Sequence, residues 1–403
     1  MNVNLRNISA LCVWALAFAP LAGCAPAPSR VSIEPATYAG WAGAYRLANG
    51  DAEMVIVPGI ARVMHFSAAG GENLFWQDAR LHGVAVDLSA RGWQNFGGAK
   101  LWIAPQSAWK WPPPPVIDKA PCSAVADARG RLRVVGASSK KNGVRLEREF
   151  RLCPARPTAD CTYTMVNTGD KAVSWGIWSI VQLVPGGRAL VPAPKESRVW
   201  GMKDSLKQKQ WRRTDDMLVL HFSGEASKVF AISPAGWMAY EAKGCVFVMT
   251  FDADTSATYP AGHGSAEFFT CKNYVEMEHV GPLMTLKPGG TCTLRERWHV
   301  YALPRLRMSD AELRQFVEAR IPSARKAVTG TSPLALLAPL VPACPPKPRR
   351  RRVTVFRTPR AGETLAESGD SCCVAKLLRR AVRPLAGCPR FPLHLAEVLR
   401  LSQ

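Results

Sequence analysis

The sequence predicts an all-β protein whose main body is a large antiparallel β-sandwich. Between residues 38 and 305, apolar and polar residues alternate in short runs, which is the pattern of strands with one buried face. Clusters of Gly, Pro and Asn separate these runs at short spacing over roughly 270 residues. Hydrophobic residues make up 47% of the 403 residues, which is enough to bury a core of ordinary size.

The first 23 residues are typical of an export signal, because residues 11–20 form an apolar run too short for a membrane anchor. The run ends at Leu21-Ala22-Gly23-Cys24, which resembles the cleavage box of bacterial lipoproteins. The resemblance implies that Cys24 is acylated and that residues 24–37 link it to the body. Ala25 resembles the outer-membrane class, which implies a lipid-anchored envelope protein that faces the periplasm. An ordinary signal peptide and a short buried helix are the alternatives.

Turn signals divide the body, which is predicted to form one domain over residues 38–305. Residues 132–135 and 144–150 flank Lys141-Asn142-Gly143, and this pattern predicts a β-hairpin. A second turn signal follows at residues 167–170, and strand signals continue to the end of the domain.

One segment near the end of the body has a helical pattern. Ser309 is placed as an N-cap, with Glu312 three residues later, which is the spacing of a capping box. We therefore expect a C-terminal helix within residues 306–325.

The positive charge is concentrated in the tail, residues 326–403. The chain has 52 Lys and Arg against 31 Asp and Glu, a net charge of +21, and the tail holds 14 of the former and 4 of the latter. Its composition predicts a disordered, low-complexity extension or the product of a frame shift in a GC-rich gene. A third interpretation is that residues 349–352, all Arg, contact lipid or polyanion. Export and the lack of a recognition-fold signature argue against nucleic acid as a partner.

Six cysteines lie in the body, and in an oxidising compartment they are expected as disulfides or buried thiols. Cys153 and Cys161 bracket a Pro-containing loop and are the first candidate pair. No Cys-x-x-Cys pair occurs, and no metal or cofactor is predicted. The six are Cys122, Cys153, Cys161, Cys245, Cys271 and Cys292.

Residues 92–115, the Trp-rich segment, hold four of the 13 Trp residues. Rigid aromatic faces beside amide and cationic groups suit sugar recognition, since pyranose C–H faces pack on aromatic rings while polar groups orient the hydroxyls. The other interpretation is that these Trp residues plug the mouth of the sandwich. The candidate ligand-binding residues are Trp93, Asn95, Lys100, Trp102, Gln106, Trp109 and Trp111.

The same segment carries a family resemblance. The run Asn95-Phe96-Gly97-Gly98-Ala99-Lys100-Leu101-Trp102-Ile103-Ala104-Pro105-Gln106 resembles the signature of an uncharacterised bacterial family, domain of unknown function 4380. Tyr274-Val275-Glu276-Met277-Glu278 resembles the C-terminal half of that family. Ala99 and Ile103 depart from it, where an acidic residue and Pro are expected. The resemblance implies the supersandwich fold of galactose-mutarotase-like proteins, whose common activity is on sugars.

Mutarotase-like chemistry needs a base at the anomeric hydroxyl and an acid at the ring oxygen. The resemblance implies that Glu276 is the base, and Glu278 would share its side of a strand. No His occupies the mid-chain position of the mutarotase acid, so His263 on a Gly-flanked loop is the substitute. Solvated carboxylates and a surface His are the alternatives, while His279 and His299 are expected to be structural.

These patterns favour an envelope lipoprotein whose sandwich binds a carbohydrate. One alternative is a sugar epimerase, a mutarotase-like enzyme or a glycan-processing enzyme that uses the carboxylates. Another is a non-catalytic scaffold lipoprotein that binds protein, acidic polysaccharide or anionic lipid through its basic body. The sequence contains no Gly-rich phosphate loop before a helix, no Gly-x-Ser-x-Gly elbow and no His-Glu-x-x-His motif.

Overall fold

The computed structural model describes residues 31–90 and 92–321, which form 21 strands, two α-helices and four short 3-10 turns. The strands are β1 (Ser32–Tyr38), β2 (Trp41–Ala48), β3 (Ala52–Val57), β4 (Arg62–Ala68), β5 (Ala99–Ala104), β6 (Ser123–Ala126), β7 (Leu132–Val135), β8 (Val144–Leu152), β9 (Thr158–Asn167), β10 (Val173–Leu183), β11 (Arg188–Pro192), β12 (Val199–Gly201), β13 (Trp211–Arg213), β14 (Met217–His221), β15 (Ser227–Ala231), β16 (Trp237–Ala242), β17 (Cys245–Phe251), β18 (Ala266–Cys271), β19 (Tyr274–Val280), β20 (Met284–Leu286) and β21 (Thr291–Ala302). The helices are α1 (Pro115–Asp118) and α2 (Asp310–Glu318).

Three predictions concern other parts of the chain. The export signal, the acylated Cys24 and the basic tail all lie outside the described residues. Within residues 31–90 and 92–321, no helix is long and apolar enough to cross a membrane.

Two antiparallel sheets pack against each other around a shared core. The first sheet has the strand order β1-β2-β3-β4-β5-β10-β19-β18-β15-β12, and β20 pairs with β10 beside this path. The second has the order β13-β14-β11-β16-β17-β21-β9-β8-β7-β6. Paired strands run antiparallel in both sheets. The predicted all-β antiparallel sandwich is therefore confirmed.

The two turn signals of the body have different outcomes. The predicted hairpin is confirmed, because β7 pairs with β8, and Gly143 takes a φ of 70° that Gly adopts at little cost. The turn at residues 167–170 instead carries the chain from the second sheet, which holds β9, to the first, which holds β10. Asn167 stabilises this crossing by donating to the carbonyls of Lys171 at 2.8 Å and Leu286 at 2.9 Å.

An aromatic cluster fills the space between the sheets. Trp298 of β21 is fully buried, and its ring centroid lies 6.0 Å from Phe66, 5.7 Å from Phe75 and 5.6 Å from Phe247. The edge-to-face and tilted arrangements match the electrostatic preference of aromatic pairs. Its indole Nε1 donates to Glu296 at 2.8 Å, so the polar atom of this core side chain is also satisfied.

Helix α2 covers the outer side of the second sheet. Its apolar residues Leu313, Phe316 and Val317 pack in one cluster with Val246 and Val248 of β17. The predicted capping box is confirmed: the Ser309 hydroxyl accepts from the backbone of Glu312 at 3.2 Å, and the Glu312 carboxylate accepts from the backbone of Ser309 at 2.7 Å.

The predicted Cys153–Cys161 bridge is wrong. All six cysteines of the body are free thiols. Cys161 points into the core from β9, on the same side as its pairing partner Phe150 of β8. Cys153 lies an odd number of residues beyond Phe150, so its side chain points to the opposite side of the sheet. The two thiols therefore face away from each other.

Candidate functional site

The outer side of the first sheet carries charged and aromatic side chains. Residues paired across antiparallel strands point to the same side of a sheet, and Trp102 pairs with Trp178. Residues at the alternate positions of these strands and of β19, such as Leu101 and Met277, point to the other side and pack in the core between the sheets. This surface is the charged face, and its side chains are Lys100, Trp102, Trp178, Gln182, Lys228, Glu267, Glu276 and Glu278.

A buried ion pair lies at the centre of the charged face. The Nζ atom of Lys100 lies 2.7 Å from Oε1 of Glu276, and Gln182 donates to the same oxygen at 2.9 Å. The ammonium also lies 4.8 Å and 4.6 Å from the ring centroids of Trp93 and Trp102. Burial lowers the pKa of Lys100, and the charge of Glu276 opposes this effect. One edge of Glu276 stays open to solvent, because 11% of the Glu276 side chain is exposed. The side chain of Lys100 is fully buried.

Asp118 at the end of α1 fixes the two Trp rings that flank Lys100. Its Oδ2 accepts from the indole of Trp93 at 3.0 Å, and its Oδ1 accepts from the indole of Trp102 at 2.8 Å. Arg62 of β4 pairs with the same carboxylate at 2.6 Å, and both side chains are almost fully buried. The Arg62–Asp118 ion pair therefore sets the orientation of the two indole rings.

The Trp-rich segment contributes residues of unequal accessibility. Trp109 is only 5% exposed and donates to the carbonyl of Ile103 at 2.8 Å, so it packs in the core. Trp111 is 40% exposed and stands edge to face against Trp93, with the centroids 5.0 Å apart. Asn95 has a buried side-chain oxygen without a hydrogen-bond partner among the described residues, and Gln106 is half-buried.

A second ionic cluster lies beside the first. Lys228 of β15 lies 2.8 Å from Glu267 and 2.6 Å from Glu278, and Trp178 donates to Glu278 at 2.7 Å. His263 lies 2.9 Å from Glu267 through Nδ1, and its ring packs on Trp178 with the centroids 4.7 Å apart. The remaining oxygen of Glu278, Oε1, is buried and has no hydrogen-bond partner among the described residues.

The two carboxylates of this cluster have opposite pKa shifts. Burial raises the pKa of Glu278 to about 8, because Lys228 only partly offsets the desolvation and the charges of Glu267 and Glu276 add to it. Burial also disfavours the charged form of Glu267, but Lys228 and His263 outweigh it and hold its pKa at about 2. Glu278 therefore holds its proton to a higher pH than Glu267 does. The same two carboxylates raise the pKa of Lys228 against the effect of its burial.

The sequence-predicted carboxylates and His263 come together on the charged face. Glu276 is 9% exposed and Glu278 is fully buried, so the alternative of solvated carboxylates is wrong. The side chain of His263 is 8% exposed and lies 2.9 Å from Glu267, so the alternative of a surface His is also wrong. His279 is buried in the core, where it lies 3.0 Å from Glu296, as expected for a structural residue.

Sequence reasoning missed several residues of the site. Glu267 is the one charged residue in the otherwise apolar and neutral strand β18. A single charge on a predicted buried strand is unusual, and this signal could have identified Glu267 from the sequence. Lys228 is similarly isolated in β15. Asp118 and Gln182 carry no comparable sequence signal. In residues 31–90 and 92–321, no group of three His, Cys, Asp or Glu side chains is arranged to hold a metal ion.

Several solved structures resemble this chain. A galactose mutarotase-like protein from Lactobacillus casei is 10% identical, with 64% of this chain and 100% of that chain covered and a TM-score of 0.44. A galactose mutarotase related enzyme from Lactobacillus acidophilus is 11% identical, with 66% and 100% covered and a TM-score of 0.44. A TPR-domain containing protein from Parabacteroides distasonis is 16% identical, with 69% of this chain covered and a TM-score of 0.48. The chain spans about half of that protein, 51% of its length.

No curated protein matches the sequence. The model of the family called domain of unknown function (DUF4380) matches residues 44–301, which include both sheets' central strands and the whole charged face. The chain therefore belongs to the DUF4380 family.

Proposed function

We propose that the charged face binds a carbohydrate. The observation that carries the proposal is the row of ionisable and amide side chains on the outer side of five adjacent strands, flanked by indole rings. Sugars need both elements, because their C–H faces pack on aromatic rings and their hydroxyls exchange hydrogen bonds with polar groups.

The accessible atoms define how a sugar would lie. Trp111 offers the most exposed ring of the segment, and Trp93 stands against it. Beside them, the exposed edge of Glu276 can accept from a hydroxyl, and Lys228, 14% exposed at its side chain, can donate to one. Stacking would give affinity, and the two charged groups would select the hydroxyl stereochemistry.

Proton transfer to the bound sugar is a second candidate function. One observation favours it: Glu278, whose pKa is raised by burial, lies two residues from Glu276 on the same side of β19. A protonated carboxyl beside a hydrogen-bond-accepting carboxylate is the arrangement that general acid–base catalysis uses. Anomeric exchange of the sugar, followed by NMR on the samples used for binding, separates this candidate from binding alone.

The test is sugar binding by the full chain. A panel of monosaccharides and oligosaccharides is titrated by calorimetry and by Trp fluorescence against the wild type, Trp111→Ala and Trp175→Ala. Trp175 is the matched control, because it lies on β10 with its side chain on the opposite side from Trp178. Trp102 and Trp109 are buried, so their replacement would test folding and not binding.

We expect Trp111→Ala to weaken binding about three- to tenfold, because one aromatic stacking contact contributes about 0.5–1.5 kcal/mol. Trp175→Ala should bind like the wild type. The proposal is wrong if no sugar of the panel binds saturably. Binding that falls with salt and ignores hydroxyl stereochemistry would favour the non-catalytic scaffold instead.

We further propose that this binding takes place in the cell envelope. The support is the lipoprotein-like box Leu21-Ala22-Gly23-Cys24, which would place the domain on a membrane beside envelope glycans.

A further inference from the structure

A pocket opens on the outer side of the second sheet, so it lies on the opposite side of the sandwich from the charged face. It has a volume of about 30 Å³ and lies between the start of β9, the middle of β21 and the end of α2. Residues at alternate positions of β21 line it, because Trp298 and Val300 between them point into the core. Its lining includes Arg156, Thr158, Arg297, His299, Tyr301 and Arg320.

The pocket carries an excess of positive charge. Three guanidinium groups line it, and one carboxylate, Asp160, pairs with Arg297 at 2.6 Å. Arg320 stacks on Phe316 at 3.5 Å and donates to its carbonyl at 3.1 Å, so it is positioned without being neutralised. Among the described residues, no carboxylate pairs with Arg156, which is exposed.

The floor of the pocket is polar but neutral. Burial, together with the charge of Arg297, lowers the pKa of His299 to about 4, so its ring is uncharged at neutral pH. Its Nδ1 lies 3.2 Å from the hydroxyl of Thr158 and 3.1 Å from that of Tyr301. A neutral imidazole nitrogen has a single lone pair, so at most one of the two hydroxyls can donate to it. The Tyr301 hydroxyl also lies 3.3 Å from the carbonyl of Arg320, so it can donate there while Thr158 donates to the imidazole.

We propose that this pocket binds a phosphate group, either as the free ion or as a phosphate monoester. Arg residues from three separate segments, the loop before β9, β21 and the turn after α2, line this one pocket. A tetrahedral oxyanion can accept from several directions at once, whereas the two oxygens of a carboxylate lie in one plane. Three cations against one anion leave a charge that complements the near-double negative charge of phosphate at neutral pH.

Arg156→Ala tests the site directly, because the side chain is exposed and its removal breaks no ion pair in the described structure. Arg295→Ala is the matched control: Arg295 is exposed on the same side of β21 and does not line the pocket. The full-length wild type and both variants are titrated by calorimetry with inorganic phosphate at neutral pH. Circular dichroism confirms that each variant is folded.

The wild type should bind one phosphate saturably at millimolar concentration or below. Arg156→Ala should bind about tenfold more weakly, because a charge-assisted contact is lost, and Arg295→Ala should stay within about twofold of the wild type. The absence of saturable binding by the wild type, or an equal loss in the two variants, would overturn the proposal.

Glucose 6-phosphate, titrated in the same way, separates the two sources of phosphate. Tighter binding of the ester than of the ion, weakened by Arg156→Ala, assigns the pocket to phosphorylated sugars, and the reverse order assigns it to inorganic phosphate. Glucose without phosphate should not compete at this pocket, and competition by glucose would also overturn the proposal.

Discussion

Glu278 shows how the environment of one residue sets its chemistry. It is fully buried, and its charged neighbours are one cation and two further carboxylates of the charged face. Lys228 and the indole of Trp178 both contact Oε2, which leaves Oε1 without a hydrogen-bond partner in the described structure. A proton on this carboxyl removes a buried charge, so the folded protein retains a proton that the unfolded chain would release.

This retention predicts a pH dependence of stability. The pKa of Glu278 is raised from 4.5 to about 8, so its stabilising contribution is complete below about pH 4.5 and is lost as the pH rises through about 8. Glu278→Gln carries a neutral amide at every pH. We expect the wild-type Tm to fall by at least about 3 °C more than that of the variant between pH 5 and pH 9.

Thermal unfolding at a series of pH values measures this difference. Glu72→Gln is the control, because Glu72 is well exposed and lies away from the charged face. Parallel Tm profiles for the wild type and Glu278→Gln would contradict the assignment of the proton.

Helix α2 shows what an element contributes once its ends are satisfied. Its nine residues present Leu313, Phe316 and Val317 to the second sheet, so the helix shields β16 and β17 from water. A helix of this length is only marginally stable in isolation, so its stability depends on its N-cap and on this packing. Asp310 in the first turn ties the helix to the sheet through an ion pair with Arg188 at 3.0 Å.

Removal of the cap should therefore loosen the helix. We expect Ser309→Ala to reduce the free energy of unfolding by about 1 kcal/mol, because the backbone N–H of Glu312 loses its acceptor. Denaturant unfolding gives this value, and hydrogen exchange should show faster exchange within residues 310–318. Ser309→Asp keeps an acceptor and should retain most of the stability. Equal losses in both variants would rule out capping as the cause.

At the scale of the whole molecule, the two sheets share one core and expose two different outer sides. The charged face lies on the first sheet and the Arg-lined pocket on the second, so the two proposed ligands would bind independently. The aromatic cluster around Trp298 separates the two sites and holds the sheets together. The tail carries much of the net charge of +21, so this charge says little about the domain.

The proposed anchor at Cys24 is a property of the whole chain. Two or three acyl chains hold a protein durably at a membrane, whereas an unacylated chain has no such attachment. We expect wild-type protein in the membrane fraction of an expressing bacterium and Cys24→Ser protein outside it. Metabolic labelling with a fatty acid should mark the wild type alone. Labelling of the Ser variant would contradict acylation at Cys24.

Local features could be predicted from the sequence because their interactions span few residues. The hairpin of β7 and β8 depends on a turn ending at Gly143, and the helix cap depends on Ser309 and Glu312, three residues apart. Strand alternation likewise depends on immediate neighbours, and it predicted the all-β class. The family resemblance named Glu276 before its environment was known. Strand spacing added Glu278, and His263 was named as the substitute for the absent acid.

The tertiary structure decided what those residues contact. Lys100 and Glu276 are separated by 176 positions, Gln182 and Glu276 by 94, and Lys228 and Glu278 by 50, so no sequence pattern links them. The strand order places β5, β10, β19, β18 and β15 side by side. Only this order brings their isolated charged residues together on one side of the sheet. The sequence thus determined the strands and their buried sides, because alternation is local. The pairing of strands determined the site, because burial and charge pairing act between residues that are distant in the chain.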